Sequence, residues 1–284
     1  RVLQVASLIS ASAFLFPFPI VTAQLKPLGP EVKTTGDFNT ALKAAREANK
    51  DKKFADAEAI ILPVTTSQPK LVLPWIELGT AQIGLKKYAE AEKSFKTALG
   101  GGADSTPQQQ PQGGGFFASG NTKGIVAPDA TRASSFSDSK TESNAKTRTP
   151  EIEGVSYASL GEIYIRTGRV EEAEKAFDEA VKANPASAPL YRGNETIYFF
   201  QMGNADAQLA AADQAIAVDP QRAILYYFRA QAMVGKATLD PKTQKLKLPP
   251  GCAEAFRKYL ALDPNGEFSA DTKGILTAAG LPLK

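Results

Sequence analysis

Trp75-Ile76-Glu77-Leu78-Gly79, followed by Tyr88-Ala89-Glu90-Ala91-Glu92-Lys93-Ser94-Phe95-Lys96-Thr97-Ala98, has a counterpart further along the chain. That counterpart is Tyr157-Ala158-Ser159-Leu160-Gly161 with Val170-Glu171-Glu172-Ala173-Glu174-Lys175-Ala176-Phe177-Asp178-Glu179-Ala180. In both, a Leu-Gly pair precedes an alanine by the same interval, and a phenylalanine and a second alanine follow that alanine at four and seven. Apolar residues spaced by three and four share one face of a helix, so both parts of each block read as helical. Gly79 and Gly161 are expected to face Ala91 and Ala173 where the two backbones approach closely, because larger side chains would push the pair apart. Trp75 and Tyr157, Leu78 and Leu160, and Phe95 and Phe177 are expected to fill the space between helices, with Ala98 and Ala180 admitting the next pair.

These blocks resemble the tetratricopeptide repeat (TPR), whose signature is Trp-x2-Leu-Gly-x2-Tyr, then Ala-x3-Phe, then Pro, over about 34 residues. The closing proline ends the second helix because it cannot donate into a continuing ladder. Pro69, Pro185, Pro220 and Pro264 stand at that place. The resemblance implies an all-α fold, an α-solenoid of about five helix-turn-helix repeats. Repeat one, 38–71, has a weak first helix and a good second one around Phe54-Ala55-Asp56-Ala57. Repeat two, 72–99, matches best, with Gln82 in place of the usual tyrosine, and repeat three, 154–187, matches throughout, including Tyr164. Repeat four, 188–222, is degenerate: Asn194 and Glu195 stand where Leu-Gly belongs, and one extra residue is expected near Phe199-Phe200. Repeat five, 223–264, keeps Tyr226 and Ala230, carries an extended loop over 237–250, and resumes at Cys252, Phe256 and Tyr259. A terminal capping helix is expected over 268–280, within a closing segment of 265–284.

The rest of the chain is not repeat. Residues 1–23, RVLQVASLISASAFLFPFPIVTA, hold one charge at Arg1 and an apolar run broken by Pro17 and Pro19. That is too short and too interrupted for a membrane-spanning helix, and Val21-Thr22-Ala23 supplies the small residues of a signal-peptidase site. Cleavage is expected after Ala23, with the repeats exported to the periplasm or beyond and no direct membrane binding afterwards; the alternative is an uncleaved N-terminal anchor. Residues 24–36, with Pro27 and Pro30, read as an extended lead-in to helical pattern over 37–99. Over 100–150 the composition turns to Gly, Gln, Ser and Thr, which cannot offset the entropy of ordering, so a disordered insert is expected before helical pattern resumes over 151–264. Phe116-Phe117 is an apolar pair within that tether, a candidate for docking in the chain's own groove.

Composition removes most chemistry. Histidine is absent and Cys252 is the single cysteine, so Ser-His-Asp and Cys-His pairs and His/Cys zinc clusters are impossible. In its Ala-rich helix Cys252 reads as a small core residue. The net charge of +3 is too small and too scattered for nucleic acid to be the main partner. No phosphate-cradling glycine loop or calcium loop is present. Glu171, Glu172, Glu174, Asp178 and Glu179 read as a solvated helix face with Lys175 and Lys182 as partners. No catalytic residue, metal or cofactor is expected. Lys242, Lys245 and Lys247, three cations in the loop of repeat five, form a weak phosphate signal.

The TPR resemblance implies a groove lined by the first helix of each repeat, and hence a protein or peptide as partner. Mapped here, repeat one supplies Asn39, Leu42, Arg46, Asn49 and Lys50; repeat two Leu73, Ile76, Thr80, Ile83 and Gly84; and repeat three Val155, Ala158, Glu162, Ile165 and Arg166. Repeat four supplies Phe199 or Phe200, and repeat five Ile224, Tyr227, Gln231, Val234 and Gly235. This lining is mostly apolar, which suits a hydrophobic or amphipathic segment; the alternative is that neighbouring repeats or a self-dimer bury several of these residues. The expected function is a non-catalytic interaction scaffold. Its competitors are a self-assembling solenoid and an accessory module of an envelope enzyme complex that uses carboxylates such as Glu162.

Overall fold

In a computed structural model, which describes residues 35–100 and 148–283, the repeats are helix pairs. The first pair is α1 (Thr35–Lys50) and α2 (Phe54–Ser67), and the second α3 (Val72–Gly84) and α4 (Tyr88–Ala98). The third is α5 (Pro150–Arg166) and α6 (Val170–Ala183), and the fourth α7 (Ala188–Met202) and α8 (Ala205–Val218). α9 (Ala223–Val234) and α10 (Cys252–Leu262) form the fifth, and α11 (Ser269–Ala278) follows alone at the expected capping position. α1 opens at Thr35, two residues inside the stretch expected to be extended. The expected signal segment, the rest of the lead-in and the insert with Phe116-Phe117 lie outside the described residues.

One turn closes four of the pairs. Lys52 (φ 60°), Lys86 (60°), Gly168 (78°) and Gly203 (70°) each adopt the left-handed conformation between the two helices. The next N–H then returns to the first helix: Lys53 to the carbonyl of Ala48, Lys87 to Gln82, Arg169 to Tyr164 and Asn204 to Phe199, at 2.8, 2.8, 2.8 and 3.1 Å. This is a left-handed helix stop that satisfies an orphan carbonyl.

The same turn fixes the register of repeat four. Counting back from Gly203, Phe199 takes the place of Tyr164, and Glu195-Thr196 the place of Leu160-Gly161. α7 is a regular α-helix, so the extra residue is not near Phe199-Phe200 as expected from sequence; it is absorbed where the 3-10 turn Pro185–Ser187 leads into α7. Arg192 and Glu195 thus occupy the aromatic and leucine positions and form an ion pair of 2.9 Å. Arg192 also bonds Asp178 of α6. Glu195 is 1% exposed. Burial pushes its carboxyl up to about 7; Arg192 opposes that, and Asp178 and Glu174 add to it.

Within a pair, each glycine leaves room for a phenylalanine of the second helix. A β-carbon on Gly79 would lie 2.7 Å from the Phe95 ring, and one on Gly161 would lie 2.5 Å from the Phe177 ring. Both rings are fully buried, as are Ala91 and Ala173. The ring is what fills the space beside each glycine. Leu78 and Leu160 are buried, while Trp75 and Tyr157 are half-buried against the same core. Trp75 Nε1 donates to the Pro69 carbonyl at 2.9 Å, and Tyr226 Oη donates to the Pro220 carbonyl at 3.0 Å, so the aromatic and the closing proline brace each other twice. Cys252 is a buried core residue whose thiol burial pushes up to about 11.

Repeats two and three stack directly despite the long stretch of sequence between them. Arg169 forms an ion pair with Glu92 of α4 and lies 4.2 Å from the Tyr164 ring centroid. Arg148 bonds the Leu99 carbonyl and rests against Gly100, so the chain leaves and re-enters the stack at one place. In repeat five the expected loop contains a short antiparallel hairpin, β1 (Thr238–Leu239) and β2 (Leu246–Lys247).

Candidate functional site

Successive first helices (α1, α3, α5, α7 and α9) touch one another, whereas successive second helices make at most marginal contact. The first helices therefore lie on the tighter, inner side of the stack. Their side chains meet across the joints as polar networks.

Between α1 and α3, Arg46 Nε donates to Glu77 Oε1 at 2.8 Å, and Asn49 Nδ2 donates to the Glu77 carbonyl and Oε2 at 3.0 and 3.1 Å. All three residues are buried. Burial raises the Glu77 carboxyl above the usual range, and Arg46 and Asn49 pull against that. Arg46 Nη2 and Asn49 Oδ1 are enclosed without a hydrogen-bond partner. One is a donor and the other an acceptor, so the joint encloses one of each without a partner.

Between α5 and α7, Glu162 accepts from Arg166 Nε at 2.8 Å and from Tyr198 Oη at 2.7 Å, and the Arg166 guanidinium lies 5.4 Å from the Tyr198 ring centroid. At the far end α11 covers the face. Phe268 stacks on Tyr227 with centroids 4.1 Å apart, and Tyr227 Oη donates to Asp271 Oδ2 at 3.0 Å. Burial and the Asp271 charge push the Tyr227 phenol well above its ordinary value. Gln231 Oε1 is a further enclosed acceptor without a partner.

A family model of the tetratricopeptide repeat matches residues 74–100 and 155–187, the two blocks whose glycine, alanine and phenylalanine pack as described. The chain carries tetratricopeptide repeats. Among solved structures it is similar to YrrB, a TPR protein with an unusual peptide-binding site, at 14% identity, covering 82% of this chain and 90% of that one, with a TM-score of 0.47. It is similar to MamA at 15% identity, covering 84% and 96%, with a TM-score of 0.49. PilW, a type IV pilus biogenesis factor, gives 17% identity, 87% and 90% coverage, and a TM-score of 0.48. No curated protein matches the chain in sequence.

The TPR groove positions do not lie open as an apolar lining. Leu42, Leu73, Ile76, Ile83, Ile165, Phe199 and Tyr227 are buried, as are Arg46, Asn49, Thr80 and Glu162. The first six belong to one continuous core cluster that spans the first four repeats. First helices that touch one another consume their own apolar side chains. Thr80 bonds its own helix, donating to the Ile76 carbonyl at 2.9 Å. Val155, Phe200, Ile224, Gln231 and Val234 are half-buried, and Phe200 packs 4.7 Å from the Phe228 ring centroid. Glu77 and Tyr198 were absent from the expected lining, although both anchor its networks. The signal for Glu77 was in the sequence: it is the single charge in the otherwise uncharged helix Val72–Gly84.

Proposed function

We propose that the chain is a non-catalytic interaction scaffold whose inner face takes an extended segment of a partner protein outside the cytoplasm. The observation that supports this most is that the first helices line the inner side of the stack, where Val155, Ile224 and Val234 remain partly open between the buried polar networks. The repeats are the interaction module, and the absence of histidine together with the buried, weakly acidic thiol of Cys252 fits a role without covalent chemistry. Export rests on residues 1–23, and N-terminal sequencing of the secreted form should read Gln24 first.

The binding test starts from capture by the exported form in an extract of its own cells, followed by titration of the purified partner. Val155→Asp with Val234→Asp, at partly open inner positions, should weaken binding by roughly tenfold or more, the equivalent of ~1.4 kcal/mol, with helicity by circular dichroism retained. Unchanged affinity in a folded double variant would remove the inner face from the reading.

A further inference from the structure

The hairpin of repeat five has no counterpart in the other repeats, and it builds a second concave feature away from the inner face. Together with α10 and the tail after α11 it encloses a cleft of about 390 Å³, lined on the hairpin side by 245–250, opposite Ala253, Glu254 and Arg257 of α10 and Leu281 of the tail. Arg257 ties the tail in place, its Nε donating to the Pro282 carbonyl at 3.0 Å, and Lys245 lies against Gly280.

Two properties of the cleft bear on what it holds. First, Lys245, Lys247 and Arg257 converge on it, and none forms an ion pair among the described residues. Of the two carboxylates on its wall, Asp240 is committed to the hairpin turn, accepting from the N–H groups of Lys242 and Thr243 at 2.9 and 2.8 Å, which holds it below the usual carboxylate range. With Glu254 that makes two anions against three cations, an excess of one positive charge. Second, the edge of β2 is open. Asp240 N donates to the Lys245 carbonyl, and the register then pairs Leu239 with Leu246 and Thr238 with Lys247. Hydrogen-bonded and non-hydrogen-bonded pairs alternate in an antiparallel ladder, so the N–H and C=O of Leu246 point away from β1. Leu246 itself lines the cleft.

We infer that this cleft is a docking site for an extended, acidic segment of a partner protein, which adds as a third strand along β2 while Lys245, Lys247 and Arg257 pair its carboxylates. An open strand edge supplies main-chain affinity and the flanking side chains supply selection. The main-chain groups of Leu246 favour a peptide over a membrane surface, which has no extended backbone to pair with them.

The probe is a fluorescein-labelled heptapeptide of alternating Glu and Val, read by fluorescence anisotropy with the whole chain. Its controls are the same peptide with Lys for Glu, an N-methylated version, and phosphatidylglycerol vesicles read by co-sedimentation. The acidic peptide should bind in a salt-sensitive manner, the Lys and N-methylated peptides at least about tenfold more weakly. Lys247→Glu, at an exposed position, should weaken the acidic peptide by a similar factor while leaving the thermal midpoint in place. Equal binding of the acidic and Lys peptides, no effect of Lys247→Glu or of N-methylation, or binding to vesicles without binding to the peptide would each overturn the proposal. The inner-face variant Val155→Asp should bind the probe normally, which separates failure here from failure of the scaffold reading.

Discussion

Gly161 and Phe177 show how much a single residue decides in this chain. A β-carbon on Gly161 would sit 2.5 Å from a ring that has no exposed surface to move toward. Overpacking of this kind costs about 1–3 kcal/mol, so Gly161→Ala should lower the denaturation midpoint, measured by urea titration at unchanged slope. Repeat one has Ala45 and Ile61 at the corresponding places. Phe177→Leu in the Gly161→Ala background should therefore recover part of the loss, a coupling that distant sites would not give. The inter-helix turn makes a prediction of the opposite sign. Lys86 holds φ 60° where repeat three has Gly168 at 78°. A left-handed lysine is strained by about 1–2 kcal/mol, and glycine gives part of that back to chain entropy, so Lys86→Gly should stabilise by about 1 kcal/mol in the same titration. Much of this was legible in the sequence, since Leu-Gly, Ala and Phe recur at fixed spacing. That the Phe177 ring presses directly on Gly161 was not, because spacing places residues on a stripe but does not say which side chain reaches across.

At the scale of elements, the joint between α6 and α7 is the weakest match to the repeat and the most informative. Glu195 has the leucine's place, and its carboxyl is pushed from 4.5 up to about 7 by burial. A folded value above the unfolded one means that this group adds most stability below pH 4.5, and that the contribution is lost as pH rises through 7. The span corresponds to roughly 3 kcal/mol at most. Glu195→Gln should flatten the stability profile between those values, measured by chemical denaturation at a series of pH, and should stabilise the chain above pH 7. An unchanged profile would place the titrating group elsewhere. The register of α7 escaped sequence reading for a related reason: with Arg192 and Glu195 in place of an aromatic and a leucine, the apolar period that marks helix phase is missing there. Repeats two and three are coupled through the Arg169–Glu92 ion pair and through Arg148 against the Leu99 carbonyl. Replacing 101–147 by a short Gly-Ser linker should then shift the thermal midpoint by less than about 3 °C, the shift that ~1 kcal/mol gives in a domain of this size. A larger fall, read by differential scanning calorimetry, would mean that the removed stretch contributes to the fold.

For the whole molecule, the central claim is that first helices pack on the inner side of a repeat stack and present polar networks there to a partner. The sequence predicted which helices these would be. It overstated their apolar surface, because Leu42, Ile76 and Phe199 are spent on the core between neighbouring repeats. The most direct measurement is photocrosslinking of the captured partner from a benzophenone amino acid placed either at the half-buried inner position Val155 or at Leu62 on α2, which is 48% exposed on a second helix. Crosslinks from Val155 and none from Leu62 are the predicted result. Crosslinks from Leu62 alone would contradict the account, putting the partner on the outer side and leaving the inner networks a purely structural role.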